Sequence, residues 1–360
     1  MIRDTSAALE RAYGKAGAGE RLSREEGVVL IERGDTHVLA GLAHRRRMQL
    51  HSERVVTYII ERNINYTNVC VYKCRFCAFY RRPGHPESYV LSHRQIGKKI
   101  EELLEHGGVQ ILLQGGHHPD LPLSWYEDLL RFIRSRYPVH VHGFSAPEIE
   151  HIARLEGIGV EETIRRLREA GLGTIPGAGG EMLVQHVRDR IAVLKTTTED
   201  WLDVHRTAHR TGMRTTATMM FGHDETRAER IEHLSRVREL QDETGGFTAF
   251  ILWTFQPEHT AMHRLTKLES HEYLRTAAVS RLFLDNVENL QASWVTQGPR
   301  VAEISLLCGV NDMGSTMFEE NVVSAAGTTY AMNADQIERS IRAVGFEPRR
   351  RNVYYEELVA

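Results

Sequence analysis

Eight short β-rich runs alternate with longer amphipathic segments from residue 53 onward, and this alternation restricts the fold more than any other feature of the sequence. Consecutive parallel strands need a crossover connection, usually a helix, so the alternation predicts a parallel sheet. Eight units predict an α/β fold closed into a (β/α)₈ TIM-type barrel. The runs are VVTYII (55–60), VQILLQ (109–114), VHVHGF (139–144), LGTIPG (172–177), RTTATMMFG (214–222), FTAFILWTF (247–255), SWVTQG (293–298) and SLLCGV (305–310).

The sequence divides into two regions. Residues 1–52 read as a helical N-terminal extension, in which Ser23 and Glu26 have the spacing of a capping box. Residues 53–360 read as the barrel with C-terminal helices packed on it. No Pro/Ser-rich linker interrupts this stretch, so a single catalytic domain is expected.

Charge and composition exclude several classes of function. The formal net charge is −3, from 45 basic and 48 acidic residues, which gives no electrostatic reason to expect a nucleic-acid partner. No stretch approaches the roughly 18 apolar residues of a membrane span, so no membrane partner is expected. Two Arg-Arg-Arg clusters, at 45–47 and 349–351, are interpreted as solvated surface. Four cysteines in 360 residues do not form a disulfide framework, so a reducing cytoplasm is the expected location.

Three of those cysteines lie close together. Cys70, Cys74 and Cys77 have the spacing C-x3-C-x2-C directly after the first predicted strand, where a barrel places its chemistry. A structural zinc site needs a fourth ligand, which would be His85 or a distant residue. A 4Fe–4S cluster held by three cysteines instead leaves one iron open to a ligand. Cys308 stands apart and is expected to be a small buried residue.

Possible site residues also follow the other strands. His140 and His142 share one face of the third predicted strand, and a zinc-dependent barrel hydrolase also uses an H-x-H pair, which leaves that enzyme as an alternative. Residues whose type suits acid–base chemistry or substrate contact lie near the strand ends. These candidates are His118, His142, Thr216, His223, Gln256, Asn311, Asp312 and Ser315.

The segment CVYKCRFCAF (70–79) resembles the signature of the radical S-adenosylmethionine (SAM) enzymes, with Phe76 in its aromatic position. The resemblance implies a 4Fe–4S cluster on the three cysteines, and SAM as the ligand of the open iron. It implies that SAM is cleaved to methionine and a 5′-deoxyadenosyl radical. The residues expected to contact SAM are Phe76, Phe79, Gln114, Gly115, Gly116, Ser145 and Glu181.

Further segments are similar to one branch of these enzymes, the menaquinone futalosine-pathway enzymes and deazaflavin-precursor synthases. Within the branch the chain most resembles the dehypoxanthine futalosine cyclases, and less closely the aminofutalosine synthases. The resemblance implies dehypoxanthine futalosine as substrate, an oxidative ring closure that begins at the ribose C4′ hydrogen, and a low-potential electron donor such as flavodoxin or ferredoxin. The segments are NYTNVC (65–70), LQGGHHPDLP (113–122), FSAPEI (144–149), TTATMMFGH (215–223), DETGGFTAFILWTFQPEHT (242–260) and GVNDMGST (309–316).

Overall fold

A ring of parallel strands forms the centre of the protein. The computed structural model describes residues 2–358. The strands are β1 Val55–Ile59, β2 Glu61–Asn65, β3 Gln110–Gln114, β4 His140–Gly143, β5 Thr215–Phe221, β6 Phe247–Thr254, β7 Asn289–Gln291, β8 Asp312–Ser315 and β9 Glu347–Arg350. They form two sheets, in the orders β5-β6-β7-β8-β1-β9 and β2-β3-β4.

The first barrel strand is interrupted at Ile60, which divides it into β1 and β2. The part before the break, β1, pairs with β8 on one side and β9 on the other, whereas the part after it, β2, pairs with β3. Backbone bonds continue the contact between β8 and the first strand beyond this break. The amide of Thr316 donates to the Ile59 carbonyl at 3.1 Å, and that of Phe318 donates to the Glu61 carbonyl at 3.3 Å. The two sheets are thereby joined on this side.

The fourth barrel position is held by a short extended segment instead of a regular strand. Thr174 forms a parallel bridge with His142 on β4, and Ile175 forms one with Thr215 on β5. This segment joins the two sheets on the other side and closes the ring. With β1 and β2 counted as one interrupted strand, the ring has eight positions, and the predicted (β/α)₈ barrel is confirmed.

Helices surround the barrel. Their bounds are α1 Ile2–Ala18, α2 Arg24–Arg33, α3 Thr36–Leu50, α4 His93–Glu105, α5 Leu123–Arg136, α6 Ala146–Glu156, α7 Val160–Ala170, α8 Gln185–Ile191, α9 Thr198–Arg210, α10 Arg227–Thr244, α11 Ser270–Phe283, α12 Trp294–Gln297, α13 Pro299–Ser305 and α14 Ala334–Ala343. Within residues 2–358 none of them is both long and apolar enough to cross a membrane.

Three helices precede the barrel and pack against its later helices. The capping box predicted for α2 is present, since the Glu26 amide donates to the Ser23 hydroxyl at 3.2 Å and the Ser23 amide to the Glu26 carboxylate at 2.8 Å. At Gly27, a Cβ would lie 2.7 Å from the ring of Phe283, so the absence of a side chain lets α2 approach α11 closely. At the other end of the chain, α14 is followed by β9, so the C-terminal region contributes a strand as well as a helix.

Two of the eight predicted strands were placed wrongly. The segment 293–298 contains the short helix α12, and the strand it was expected to form is β7, a few residues earlier. The segment 305–310 follows α13 as a turn, and the eighth strand is the more polar β8. A short apolar run does not distinguish a buried strand from a buried helical turn, which explains both errors.

The interpretation of the two arginine clusters as solvated surface was also wrong at one position in each. Arg47 is fully buried, donates to the Val55 carbonyl and lies 4.3 Å from the Phe346 ring centroid. Arg351 is 4% exposed and follows β9 into the barrel. Arg45 and Arg349 are exposed, as expected. Only the neighbouring elements decide which member of such a run turns inward.

Candidate active site

A cavity of about 350 Å³ occupies the interior of the barrel. Residues of the cysteine loop, of the strand ends and of the segment after β9 line this barrel cavity. The interior of a TIM-type barrel is normally filled by its own side chains. An open space bordered by a few polar groups is therefore the expected position of a ligand.

The cysteine loop, residues 70–77, forms one part of the cavity wall, and all three of its thiols line the cavity. Backbone hydrogen bonds fix the loop from both sides. The Cys70 amide donates to the Arg81 carbonyl at 2.9 Å, and the Arg75 amide donates to the Ile191 carbonyl at 2.8 Å. These contacts hold the backbone from which the three thiols extend.

The three thiols fit an iron–sulfur cluster better than a single ion. Burial raises the pKa of Cys70 and Cys77, and raises that of Cys74 to about 12. The thiolates that bind metal are therefore formed only as metal binding releases their protons. In the described part of the chain, no three His, Cys, Asp or Glu side chains are grouped closely enough for one ion. A 4Fe–4S cube takes one thiolate per iron, so its ligands lie farther apart.

Gly116 brings the end of β3 against the cysteine loop. Its amide donates to the Thr67 carbonyl at 2.9 Å. A Cβ at this position would lie 2.1 Å from the Val69 carbonyl oxygen and 3.1 Å from Cβ of Cys70. Glycine is therefore required for the cysteine loop to sit where it does.

A buried carboxylate, Glu148, holds the Gly-Gly segment in place. Its Oε1 accepts from the Gly115 amide at 2.9 Å and from the Tyr66 hydroxyl at 2.8 Å. Its Oε2 accepts from the Ser145 amide at 2.8 Å and the Ser145 hydroxyl at 2.6 Å. Burial raises the pKa of Glu148, although these hydrogen bonds oppose the rise. The Gly115 amide is therefore already engaged within the protein.

Glu181 lies in a buried cluster of charges close to the cysteines. Its carboxylate pairs with Lys195 at 2.6 Å and lies 3.8 Å from Arg188. Burial alone would raise the pKa of Glu181, but the two cations outweigh burial and lower it. The Lys195 ammonium also lies 5.4 Å from the centroid of the Phe76 ring. Glu181 is therefore an ionised group with a fixed position on the cavity wall.

The cavity floor consists of Glu61, Gln110, Ser315, Arg351 and Tyr355, all of which line the cavity. Arg351 donates from Nε and Nη2 to the two carboxylate oxygens of Asp312, at 2.5 and 2.8 Å. Burial raises the pKa of Glu61, whose carboxylate accepts from the amide of Gln110. The floor therefore combines a compensated arginine with a carboxyl group that favours its neutral form.

The two histidines of the H-x-H pair on β4 both hydrogen-bond one hydroxyl and do not surround an open metal position. Nδ1 of His142 and Nε2 of His140 lie 2.7 and 2.8 Å from Oγ1 of Thr174. Burial lowers the pKa of His142 to about 3 and that of His140 to about 4. Both rings are therefore neutral near pH 7. This arrangement favours hydrogen bonding over the zinc site considered as an alternative.

Most of the residues proposed from the sequence line this one cavity. The residues that line it are Cys70, Cys74, Phe76, Cys77, Phe79, Gln114, Gly115, Gly116, His142, Ser145, Glu181, Thr216 and Ser315. They come from distant parts of the chain, and closure of the barrel brings them to one interior cavity.

The other proposed residues lie outside the cavity lining, because their polar groups are used locally. Nδ1 of His223 accepts the Asp224 amide at 2.7 Å, and Nδ1 of His118 accepts the Asp120 amide at 3.1 Å. The amide of Gln256 donates to backbone carbonyls beside it. The carbonyl of Asn311 accepts from Arg281. The residues outside are His118, His223, Gln256, Asn311 and Asp312.

Sequence reasoning missed several polar residues of the site. Glu148 could have been found, because Ser145 and Glu148 have the spacing of a capping box, and the structure contains one. Glu61 could have been suspected as an acidic residue inside a barrel strand. Lys195 and Arg351 have no local signal, since each lies in an irregular segment that reaches the cavity only through the tertiary fold.

Fold and site together define a barrel with three cysteines beside an enclosed cavity, and comparison with known proteins identifies its class. The sequence profile of the Radical SAM superfamily matches residues 64–237. That of the CofH/MqnC C-terminal region matches residues 244–359. The chain belongs to the radical SAM superfamily, and its cofactors are a 4Fe–4S cluster and SAM.

Within this superfamily the chain is similar over nearly its whole length to futalosine enzymes. It is 49% identical over 349 residues to cyclic dehypoxanthine futalosine synthase of Halalkalibacterium halodurans, covering 97% of this chain and 93% of the relative. It is 38% identical over 354 residues to aminodeoxyfutalosine synthase of Thermus thermophilus, covering 96% and 94%. The FeFe-hydrogenase maturase HydG of Carboxydothermus hydrogenoformans shares the fold, with a TM-score of 0.75 at 16% identity over 98% of this chain and 82% of that one. The family resemblance of the cysteine segment is thereby confirmed.

Proposed function

We propose that this protein closes dehypoxanthine futalosine to cyclic dehypoxanthine futalosine by radical chemistry, as an oxidoreductase that forms a C–C bond. The observation that carries the proposal is one continuous cavity, which joins the three cysteines to a polar floor inside the barrel. The 49% identity to a cyclic dehypoxanthine futalosine synthase supports the same reaction.

Cys70, Cys74 and Cys77 would hold the cluster. When bound, the cluster and SAM supply a 5′-deoxyadenosyl radical that removes a hydrogen atom from carbon. Glu148 occupies the Gly115 amide, so Gly115 would contact the ammonium group of SAM through its carbonyl. The Glu181 carboxylate, fixed by Lys195, suits a ribose hydroxyl or a cationic group. Phe76 and Phe79 add apolar surface to the same wall.

Enclosure of the substrate is the second contribution of the chain. A carbon radical attacks most C–H bonds within reach, so the cavity must exclude water and other reactants. The floor closes the barrel below the site, and the Arg351–Asp312 pair holds that closure with two hydrogen bonds. The substrate would therefore be held between the cysteine loop and the floor.

The remaining steps need a proton acceptor and a carboxylate site. Loss of the C4′ hydrogen leaves a carbon radical that adds to the benzoate ring, and the adduct then loses one proton and one electron. His142 faces the cavity and is the protein group placed to take that proton. The hydroxyls of Thr216 and Ser315 also line the cavity and suit the benzoate carboxylate.

The test uses anaerobically reconstituted protein with SAM, a low-potential reductant and dehypoxanthine futalosine. We expect 5′-deoxyadenosine together with a product lighter than the substrate by two hydrogens, measured by mass spectrometry. Turnover only with an enolpyruvyl-oxybenzoate substrate would assign the aminofutalosine synthase reaction instead. Turnover with a deazaflavin precursor would assign the other alternative, and hydrolysis that requires zinc would refute the radical reaction.

Cysteine variants provide a matched control for the cluster. Cys74→Ala removes a thiol that lines the cavity, whereas Cys308→Ala removes a buried thiol outside the cavity lining. We expect Cys74→Ala to lose iron, acid-labile sulfide and SAM cleavage, and Cys308→Ala to keep all three. In the cell, a flavodoxin or ferredoxin in the cytoplasm would supply the electron.

A further inference from the structure

Two histidines at the amino-terminal end of the barrel, His140 and His142, share a single hydroxyl. Oγ1 of Thr174 lies 2.7 Å from Nδ1 of His142 and 2.8 Å from Nε2 of His140. A hydroxyl has one proton to donate and two lone pairs to accept with. Thr174 can therefore accept from one ring while it donates to the other.

His142, Thr174 and His140 form a hydrogen-bonded trio whose two ends face different surroundings. His142 lines the barrel cavity, and its Nε2 has no protein partner among the described residues. His140 begins β4 and is only partly buried, with its ring 5.6 Å from that of the exposed Tyr354. A Cβ at Gly173 would lie 2.2 Å from Cε1 of His140, so the glycine leaves room for that ring. The trio therefore leads from the cavity toward the outside of the barrel.

The protonation state of both rings suits the passage of a proton. Burial disfavours the charged form of each ring and holds its pKa well below the usual value. Nearby Arg351 lowers the pKa of His142 further. A neutral imidazole has one N–H and one bare nitrogen, so each ring can accept at one edge and donate at the other.

We propose that His142, Thr174 and His140 form a proton relay that removes the proton released in ring closure from the cavity. The inference rests on the proposed function. The ring C–H bond of the benzoate adduct breaks, and its proton passes to Nε2 of His142. The Nδ1 proton of His142 passes to Thr174, the hydroxyl proton passes to Nε2 of His140, and the Nδ1 proton of His140 passes to water.

The electrons of the broken C–H bond stay in the ring and restore its aromaticity. The surplus electron leaves the ring for a one-electron acceptor of the iron–sulfur class. No net charge remains on the relay, because each histidine ends as its other neutral tautomer. His142 is the catalytic residue of this step, and Thr174 and His140 act through it.

The chain contains a matched control for this relay. Oγ1 of Thr215 lies 2.9 Å from Nδ1 of His205 and 2.7 Å from Nε2 of His209. None of these three side chains lines the barrel cavity. Thr215→Val therefore removes the same kind of hydroxyl from between two histidines without touching the proposed relay.

The experiment measures 5′-deoxyadenosine and cyclic product separately in reconstituted wild type, Thr174→Val and Thr215→Val. We expect Thr174→Val to keep substrate-dependent formation of 5′-deoxyadenosine while product formation slows by roughly 100-fold. The undeprotonated adduct should accumulate as an organic radical visible by electron paramagnetic resonance in frozen samples. Thr174→Ser, which retains the hydroxyl, should restore the product, and Thr215→Val should behave as wild type.

His140→Gln gives a second route to the same result if Thr174→Val folds poorly, and it should also separate product formation from SAM cleavage. The relay is refuted if both variants keep the wild-type ratio of product to 5′-deoxyadenosine, or if Thr215→Val lowers that ratio equally. A wild-type protein that forms no cyclic product refutes the proposed function, which is a different result.

Discussion

Replacing Arg351 with methionine would remove the charge that compensates Asp312 beneath the cavity floor. Both side chains are almost fully buried, and the two hydrogen bonds between them measure 2.5 and 2.8 Å. After the substitution, Asp312 keeps the Thr57 hydroxyl at 2.5 Å and the Gly314 amide at 2.8 Å. Those two neutral donors do not balance a buried negative charge, so we expect a large loss of stability.

The size of the loss follows from the burial of the pair. Breaking a buried ion pair by removing one partner costs about 3–5 kcal/mol. An unfolding entropy of roughly 2.1 cal/mol/K per residue amounts to about 0.8 kcal/mol/K for 360 residues. We therefore expect the melting temperature of Arg351→Met to fall by about 4–7 °C.

Thermal unfolding followed by circular dichroism, at equal cluster loading, measures this shift. Arg349→Met is the control, because Arg349 lies two residues away, is exposed and pairs with Glu347 at the surface. Arg349→Met should change the free energy of unfolding by no more than about 1 kcal/mol. The double variant Arg351→Met/Asp312→Asn removes the uncompensated charge and should recover most of the loss. A melting temperature of Arg351→Met equal to that of the control, or a double variant less stable than the single one, would refute the reasoning.

Two further predictions concern the cysteine loop and the buried histidines. Gly116→Ala should lower the iron bound per chain, because the added Cβ would lie 2.1 Å from the Val69 carbonyl oxygen. Gly41→Ala is the control and should leave the iron content unchanged, because no heavy atom lies within 4 Å of its Cβ. Burial lowers the pKa of His142 and His233 to about 3 in the folded protein, whereas the pKa of an unfolded histidine is near 6.5. Both rings are neutral in the folded protein, so their contribution to stability is complete above pH 6.5. It is lost as the pH falls below 6.5, because the unfolded chain then binds protons that the folded protein does not. The free energy of unfolding should fall by about 1 kcal/mol per histidine between pH 6.5 and 5.5, and the melting temperature should fall with it. His233→Gln should flatten the dependence on pH, and a flat wild-type curve would contradict this prediction.

The barrel could be predicted because its strands and helices have distinct local patterns, but β8 could not. Its sequence Asp-Met-Gly-Ser has little β propensity. Asp312 is tolerated inside the barrel because Arg351, 39 positions later, compensates its charge. No local window contains both residues, so the strand was expected instead at the apolar run 305–310.

The site was predictable to the extent that its residues belong to short motifs. The cysteine loop and the pair Gly115-Gly116 are contiguous, and the backbone alone gives them their geometry. Lys195 reaches Glu181 from an irregular segment, and no periodicity marks it. Asn311 and Asp312 were expected at the cavity because they are polar, but in a barrel strand polar side chains can also serve to bond neighbouring strands and segments together.

The pairing of β1 with β9 bears on the order in which this enzyme can be made. Val55 pairs with Glu347, which is synthesised 292 residues later (347 minus 55). β1 cannot form this pairing until then. The cysteine loop leaves the ribosome early, but Arg351 and Tyr355, which close the cavity floor, leave it near the end. Contacts of such long range form late in folding. The proposed cluster ligands are therefore synthesised long before the cavity floor that encloses the substrate. Cluster loading should support catalysis only after synthesis has passed residue 355.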